Sequence, residues 1–180
     1  KVWQDAGLQP LCVSVNLSVH TFQRKDLVEV ITLVLDRTGM DPHFLVLEIT
    51  ENVAIQNLEA IIHKLNKLCN RGIQIAIDDF GTGFSSLYYL KRFPITKLKI
   101  SQHFVRDIVT DQSDKAIVSL VIELAQSLKL KVIAEGVETE EQLSFLKQRK
   151  CDEIQGYLCC KPLPAKEFEE ILVQDKHLHC

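Results

Sequence analysis

Short runs of β-branched and aliphatic residues recur along this chain, and each is followed by apolar residues at helical spacing. This pattern predicts six strands that alternate with helices. The predicted strands span residues 11–18, 44–50, 73–79, 96–101, 131–137 and 152–158. Such alternation indicates a parallel sheet covered by helices, which is either doubly wound or curved as a barrel.

Polar side chains distinguish these two architectures. Successive side chains of a strand point to opposite faces, so the position of a polar residue identifies its face. Each predicted strand carries a polar residue late on one face, namely Asn16, Glu48, Asp78, Lys99, Glu135 and Gln155. A doubly wound sheet would bury these residues under helices at a cost, whereas the mouth of a barrel gathers them. The sequence therefore predicts an α/β fold, a TIM-like (β/α) barrel that is incomplete because about six of eight strands are present.

Three local signals predict where helices begin and end. Gly39 is placed to end a helix in the left-handed conformation. Ser113 is predicted to cap the start of the helix that bears Ile117 and Leu128, and Thr139 with Gln142 forms the pattern of a capping box at the start of the next helix.

Composition excludes several classes of function. The net charge of −3 is spread along the chain without a basic run, so polymeric nucleic acid is not an expected partner. No apolar run is long enough to cross a bilayer, and Lys1 is not followed by a signal-peptide pattern. We expect a soluble, cytoplasmic domain without membrane contact from this segment, whether or not a longer parent protein is membrane-tethered. The six cysteines show no metal-binding spacing and are expected to be reduced thiols.

Several carboxylates gathered at one mouth repel one another unless a cation neutralises them. The candidate ligands are all oxygen donors, which favours Mg²⁺ or Mn²⁺ over zinc. The consecutive pair Asp78 and Asp79 would let two ions share one edge, and two ions suit phosphodiester cleavage, with Lys99 adding positive charge. The same residue types also serve proton abstraction next to a carboxylate, in which a lysine is the base. The residue types alone leave both chemistries open.

The segment Asp78-Asp79-Phe80-Gly81-Thr82-Gly83, followed by Ser85-Ser86-Leu87, resembles a segment of EAL domains, a family named for a Glu-Ala-Leu tripeptide. Five other blocks look like the family's, in its order: Val15-Asn16-Leu17-Ser18, Glu48-Ile49-Thr50-Glu51, Leu98-Lys99-Ile100, Ala134-Glu135-Gly136-Val137-Glu138 and Gln155-Gly156-Tyr157. The resemblance covers nearly the whole chain. It implies a barrel enzyme of bacterial signal transduction that hydrolyses cyclic di-GMP to the linear dinucleotide with Mg²⁺ or Mn²⁺.

The resemblance also implies roles for individual residues. The implied metal ligands are Asn16, Glu48, Asp78 and Asp79. The implied catalytic residues are Lys99 and Glu135, together with Glu51, which would anchor the loop that starts at Asp78. Gln155 and Glu138 would contribute to binding in the pocket. A homodimer is expected by analogy with the family.

Two departures from the family pattern bear on activity, and because of them we expect this segment by itself to be inactive or weakly active. The resemblance implies that a segment of roughly 70 residues precedes the position of Lys1 in the family, with two strands, the Glu-Ala-Leu glutamate and a substrate-binding arginine, and we expect that it is missing here. A complete barrel normally has eight strands and about 250 residues. Ser101 stands where the family usually has aspartate. The expected division is an EAL domain over residues 1–174 and a polar tail over residues 175–180. The alternative to a phosphodiesterase is a non-catalytic EAL domain that binds cyclic di-GMP or a protein partner.

Overall fold

The computed structural model of the protein describes residues 1–51, 58–83 and 87–173. Within these residues, six parallel strands form one sheet in which each strand pairs with the next along the chain. The strands are β1 Val13–Leu17, β2 Leu45–Thr50, β3 Gln74–Phe80, β4 Lys97–Ile100, β5 Lys131–Glu135 and β6 Glu153–Gln155. In this described part, β1 and β6 are the two edges of the sheet. The prediction of an incomplete TIM-like barrel is confirmed.

Helices connect successive strands and cover the outer face of the sheet. They are α1 Val2–Asp5, α2 Val19–Gln23, α3 Leu27–Thr38, a 3₁₀ helix Pro42–Phe44, α4 Leu58–Cys69, α5 Leu87–Arg92, α6 Gln102–Val105, α7 Gln112–Ser127, α8 Glu140–Gln148 and α9 Ala165–Val173. None of the described helices is long and apolar enough to span a membrane.

The main core lies between the sheet and these helices. Ile75 of β3, Leu98 of β4 and Val132 of β5 form one cluster with Leu65 of α4 and Val118 of α7. All five side chains are fully buried. Each such aliphatic side chain contributes about 1.5–3 kcal/mol on burial. The alternate residues of the same strands point into the concave side, where the polar side chains lie.

Helix termini follow the local signals in two of three cases. Gly39 ends α3 in the left-handed conformation with φ of 63°, and Thr139 and Gln142 form the capping box of α8. The prediction that Ser113 caps α7 is wrong. Asp111 is the cap, since its Oδ1 accepts the backbone N–H of Ser113 at 2.6 Å.

The last strand is shorter than predicted. β6 ends at Gln155 because the backbone of Gly156 passes close to Val137, where an added Cβ would lie 2.1 Å from the Val137 carbonyl oxygen. Residues 156–160 then turn, with the Cys160 N–H donating to the Gly156 carbonyl at 3.3 Å. The prediction that all cysteines are reduced is wrong for Cys159, which is disulfide-bonded. The predicted tail, residues 175–180, lies outside the described residues, and the division into 1–174 and a tail stays a prediction.

Candidate metal centre

Five strands bring their late polar residues to one end of the sheet. Asn16 on β1 pairs in register with Glu48 on β2, whereas Asp78 lies two residues beyond the β3 partner of Glu48. Glu135 likewise lies two residues beyond the β5 partner of Lys99. This stagger is what a tilted barrel requires, since residues at one height are offset along neighbouring strands. It places all five side chains at the carboxyl mouth.

Lys99 lies at the centre of this group. Its ammonium is 2.7 Å from Glu48 Oε2 and 3.0 Å from Asp78 Oδ1, and it also pairs with Glu135 Oε1. The side chains of Lys99 and Glu48 are 4% and 5% exposed, so the pairs lie largely away from water. One ammonium therefore faces three carboxylates in a poorly solvated site.

The pKa values of Lys99 and Glu135 are both raised in this environment, but for different reasons. Burial alone lowers the pKa of the Lys99 ammonium, but its hydrogen bonds to Glu135 and Glu48 outweigh burial and raise the pKa. Burial also raises the pKa of Glu135, and the charges of Asp78 and Asp79 add to this rise against the opposing effect of Lys99. The raised pKa of Glu135 thus comes first from burial and then from neighbouring negative charge, whereas the raised pKa of Lys99 comes from the carboxylates around it.

Asn16 completes the group from the edge strand. One terminal atom of its side-chain amide lies 3.3 Å from Glu48 Oε2 and 3.2 Å from Asp78 Oδ2. When that atom is the amide nitrogen, it donates a hydrogen bond to each carboxylate. When it is the oxygen, its distances to these two carboxylate oxygens are close to the spacing of about 3 Å expected between neighbouring ligands of an octahedral Mg²⁺.

These residues fit a hard divalent cation. Within the described ranges, no three Asp, Glu, His or Cys side chains already stand as a ligand set. The Lys99 ammonium lies among the three carboxylates of this group. The donors are nonetheless all oxygens, they converge from neighbouring strands, and their charge is incompletely balanced. That chemistry suits Mg²⁺ or Mn²⁺ better than a nitrogen- or sulfur-preferring metal.

Asp79 lies at the rim of the mouth, held by a different residue. Its φ of 53° is left-handed, and its carboxylate accepts a hydrogen bond from Ser101 Oγ at 2.9 Å. The register between β3 and β4 shifts at this point, which turns Asp79 away from the strand direction. The sequence placed Ser101 only as a departure from the family pattern and missed its contact with Asp79. Its position two residues after Lys99, at the strand end, was the available signal.

Glu51 anchors the loop that follows Asp79. Its Oε2 accepts the backbone N–H groups of Gly81 and Gly83, each at 3.2 Å. A Cβ on Gly83 would lie 3.1 Å from the Glu51 carboxyl carbon, so a glycine lets the loop approach the carboxylate. Ser85 and Ser86, part of the predicted loop, lie outside the described residues.

A small polar pocket adjoins the carboxylates. It has a volume of about 190 Å³ and is lined by Glu135, Glu138 and Gln155 together with Gln102 and Tyr157. The structure therefore brings the two predicted binding residues next to Glu135. Gln102 was not predicted; it packs over Gly136, where an added Cβ would lie 2.3 Å from its Cγ.

An open β/α barrel whose mouth carries acidic oxygen donors around a buried lysine defines a class of metal-dependent barrel domains. The model of the EAL domain family matches residues 1–162. The chain belongs to the EAL domain family.

Curated relatives include two Pseudomonas aeruginosa proteins. The chain is 42% identical over 168 residues to the bifunctional diguanylate cyclase/cyclic di-GMP phosphodiesterase MucR, covering 93% of this chain and 24% of MucR. It is 43% identical over 167 residues to the cyclic di-GMP phosphodiesterase NbdA, covering 93% of this chain and 21% of NbdA. The chain thus spans less than a quarter of the length of these relatives.

Solved structures agree with the fold. The PaMucR phosphodiesterase in complex with c-di-GMP superposes with a TM-score of 0.89 at 42% identity, covering 93% of this chain and 68% of that one. A manganese and cyclic di-GMP complex of Klebsiella pneumoniae BlrP1 has a TM-score of 0.80 at 31% identity, covering 89% and 41%. Related domains have thus been solved with cyclic di-GMP and with a divalent metal.

Proposed function

We propose that this chain carries the metal-dependent hydrolysis of cyclic di-GMP to the linear dinucleotide. The observation that carries the proposal is the largely buried group of carboxylates around Lys99, namely Glu48, Asp78 and Glu135. The three carboxylates have more negative charge than one ammonium balances, and a bound cation would balance the rest. The identity to cyclic di-GMP phosphodiesterases supports the substrate.

The proposed ligands of the cation are Asn16, Glu48 and Asp78, with Asp79 serving a second ion. Mg²⁺ or Mn²⁺ there would lower the pKa of a bound water and neutralise charge on the phosphate. The oxygen-only donor set supports this choice of metals over zinc.

The remaining residues act on the substrate and on the loop. Lys99 holds positive charge at the bottom of the mouth, where it stabilises negative charge that develops on the phosphodiester. Glu135 accepts a hydrogen bond from Lys99 and can accept a proton from the attacking water. Gln155 and Glu138 line the adjoining pocket, which supports a role in holding the nucleotide, and Glu51 keeps the glycine loop closed over the rim.

The test is hydrolysis of cyclic di-GMP by the purified protein with Mn²⁺, measured as linear dinucleotide by chromatography. Glu48→Gln removes one charge from the buried group and should abolish turnover. Glu59→Gln is the matched control, because Glu59 is 74% exposed and pairs with Arg92 on the outer surface.

Three results would decide between enzyme and binding module. Turnover that is lost in Glu48→Gln and kept in Glu59→Gln supports the phosphodiesterase. Tight binding of cyclic di-GMP by calorimetry without turnover supports a non-catalytic domain if turnover stays absent when the expected N-terminal segment is added back. Equal turnover in Glu48→Gln would contradict the proposed site.

The proposed homodimer is supported by apolar side chains at the surface. Leu87, Tyr88 and Leu120 are 60%, 61% and 66% exposed on α5 and α7. Sedimentation velocity should show a dimer that Leu120→Glu weakens, and a monomer at all concentrations would contradict this proposal.

A further inference from the structure

Ser101 joins the end of β4 to the start of α6 and is 4% exposed. Its Oγ accepts the backbone N–H of His103 at 3.4 Å and donates to Asp79 Oδ1 at 2.9 Å. A serine hydroxyl has a single proton. Because the His103 N–H supplies the proton of its own contact, the Ser101 proton is directed to the Asp79 carboxylate.

The backbone of Asp79 is held in place by its own neighbours. Its φ of 53° is uncommon for a residue other than glycine. The Asp79 N–H donates to Asp78 Oδ1 at 3.0 Å, and its carbonyl accepts the Thr82 hydroxyl at 2.9 Å. These contacts hold the backbone, and the hydrogen bond from Ser101 holds the carboxylate of an otherwise exposed side chain.

Charge explains why a hydroxyl suits this position. The mouth already contains Asp78, Glu135 and Glu48 around one ammonium. Without a bound cation, an ionised carboxylate at position 101, the residue type usual in the family, would face Asp79 and repel it, and it would have no proton to donate. A hydroxyl orients the Asp79 carboxylate without adding negative charge.

We propose that Ser101 is a positioning residue that orients the Asp79 carboxylate at the mouth, ready to take up an oxygen-preferring divalent cation. This proposal rests on the proposed function, because it assumes that the mouth binds such a cation. Hydrogen bonds to a ligating carboxylate typically account for about 10- to 100-fold in metal affinity.

The first experiment measures the apparent dissociation constant for Mn²⁺ by the electron paramagnetic resonance signal of free Mn²⁺. Ser101→Ala should raise it about tenfold or more, and Ser101→Thr, which keeps the hydroxyl, should restore it to about the original value. Combining Ser101→Ala with Asp79→Asn should give no further rise over Asp79→Asn alone, because the charged carboxylate that Ser101 orients is then already lost.

Failure of this proposal is distinguishable from failure of the proposed function. If the unmodified protein and Glu48→Gln both fail to hold Mn²⁺, the proposed metal site is wrong. If the unmodified protein binds Mn²⁺ and Ser101→Ala binds it equally well, only the positioning role is wrong.

The second experiment separates positioning from simple helix capping. Ser101→Asp keeps a side chain that caps helices well but cannot donate to Asp79 when ionised. In a chelator, its melting temperature should lie below that of the unmodified protein, and Asp79→Asn in the same chain should restore it. A role limited to capping predicts an unchanged melting temperature for Ser101→Asp, and that result would overturn the proposal.

Discussion

Lys97 and Lys99 lie on the same face of β4, two residues apart, yet they serve two different clusters. Lys99 at the carboxyl mouth meets Glu48, Asp78 and Glu135. Lys97 at the opposite end meets Glu153, at 3.0 Å, which Lys131 also approaches at 3.5 Å. The mouth therefore has one ammonium for three carboxylates, and the opposite end has two ammonium groups for one carboxylate.

The difference teaches how to separate a structural ion pair from a functional one. Both lysine side chains are mostly buried, at 10% exposed for Lys97 and 4% for Lys99, so burial alone does not distinguish them. The balance of charge around each lysine does distinguish them. The end around Glu153 has no excess of negative charge for a cation to balance. The mouth has such an excess, which the proposed cation would balance.

The largest expected effect is on catalysis. If the proposed function holds, Lys99→Met should lower kcat/KM for cyclic di-GMP by about 100- to 1,000-fold, because it removes the positive charge that the proposal places beside the phosphodiester. Lys97→Met makes the same change at the opposite end and should leave kcat/KM unaltered. Steady-state kinetics with Mn²⁺ provide the comparison, and a similar loss in both variants would show that Lys99 acts only through the fold.

Stability without divalent ions should separate the two lysines next. Lys99→Met leaves three buried carboxylates without an ammonium and should lower the free energy of unfolding by about 3–5 kcal/mol. Lys97→Met should cost only about 1 kcal/mol, because Glu153 is 37% exposed and keeps Lys131. Urea unfolding in a chelator measures both, and equal losses would contradict the difference in charge balance.

Adding Mn²⁺ should narrow that gap. At about 100 times its dissociation constant, a bound ion stabilises a fold by about 2.7 kcal/mol, and it can replace the lost ammonium of Lys99→Met. Lys97→Met should gain no more from Mn²⁺ than the unmodified protein does. Thermal unfolding with and without Mn²⁺ tests this. An equal rise in Tm for the two variants would contradict the replacement of the ammonium by the ion, and no rise in either variant would argue against a cation at the mouth.

The smallest effect concerns a thiol beside Glu153. Burial raises the pKa of Cys151 to about 11, and its Sγ donates to the Glu153 carbonyl at 3.3 Å. At pH 8 its thiolate fraction is about 100-fold below that of an ordinary cysteine, so alkylation by iodoacetamide should be correspondingly slow and should accelerate toward pH 11. Exposed Cys12 is the internal control in peptide mass spectrometry. Rapid alkylation of Cys151 in the native protein would show that this end opens to solvent.

Most of the fold followed from periodicity. Six strands, their order along the chain and the late polar residue on each could be predicted, because alternation along a strand is a local property. The end of β6 could not be predicted in this way, because it depends on the close approach of Gly156 to Val137, two residues that are distant along the chain. The cap of α7 was missed for a different reason: Asp111 and Ser113 are both good caps, and only the backbone path selects Asp111.

The sequence by itself determined the family, the barrel class and the residue types at the mouth. The number of these mouth residues and their order along the chain follow from the alternation within each strand, which is a local property of the sequence. The tertiary structure decided which of these groups touch. The stagger between strands brings Glu48, Asp78 and Glu135 to Lys99 and leaves Asp79 to Ser101. Contacts between strands depend on barrel tilt and on side-chain directions, which no pattern within a single strand specifies.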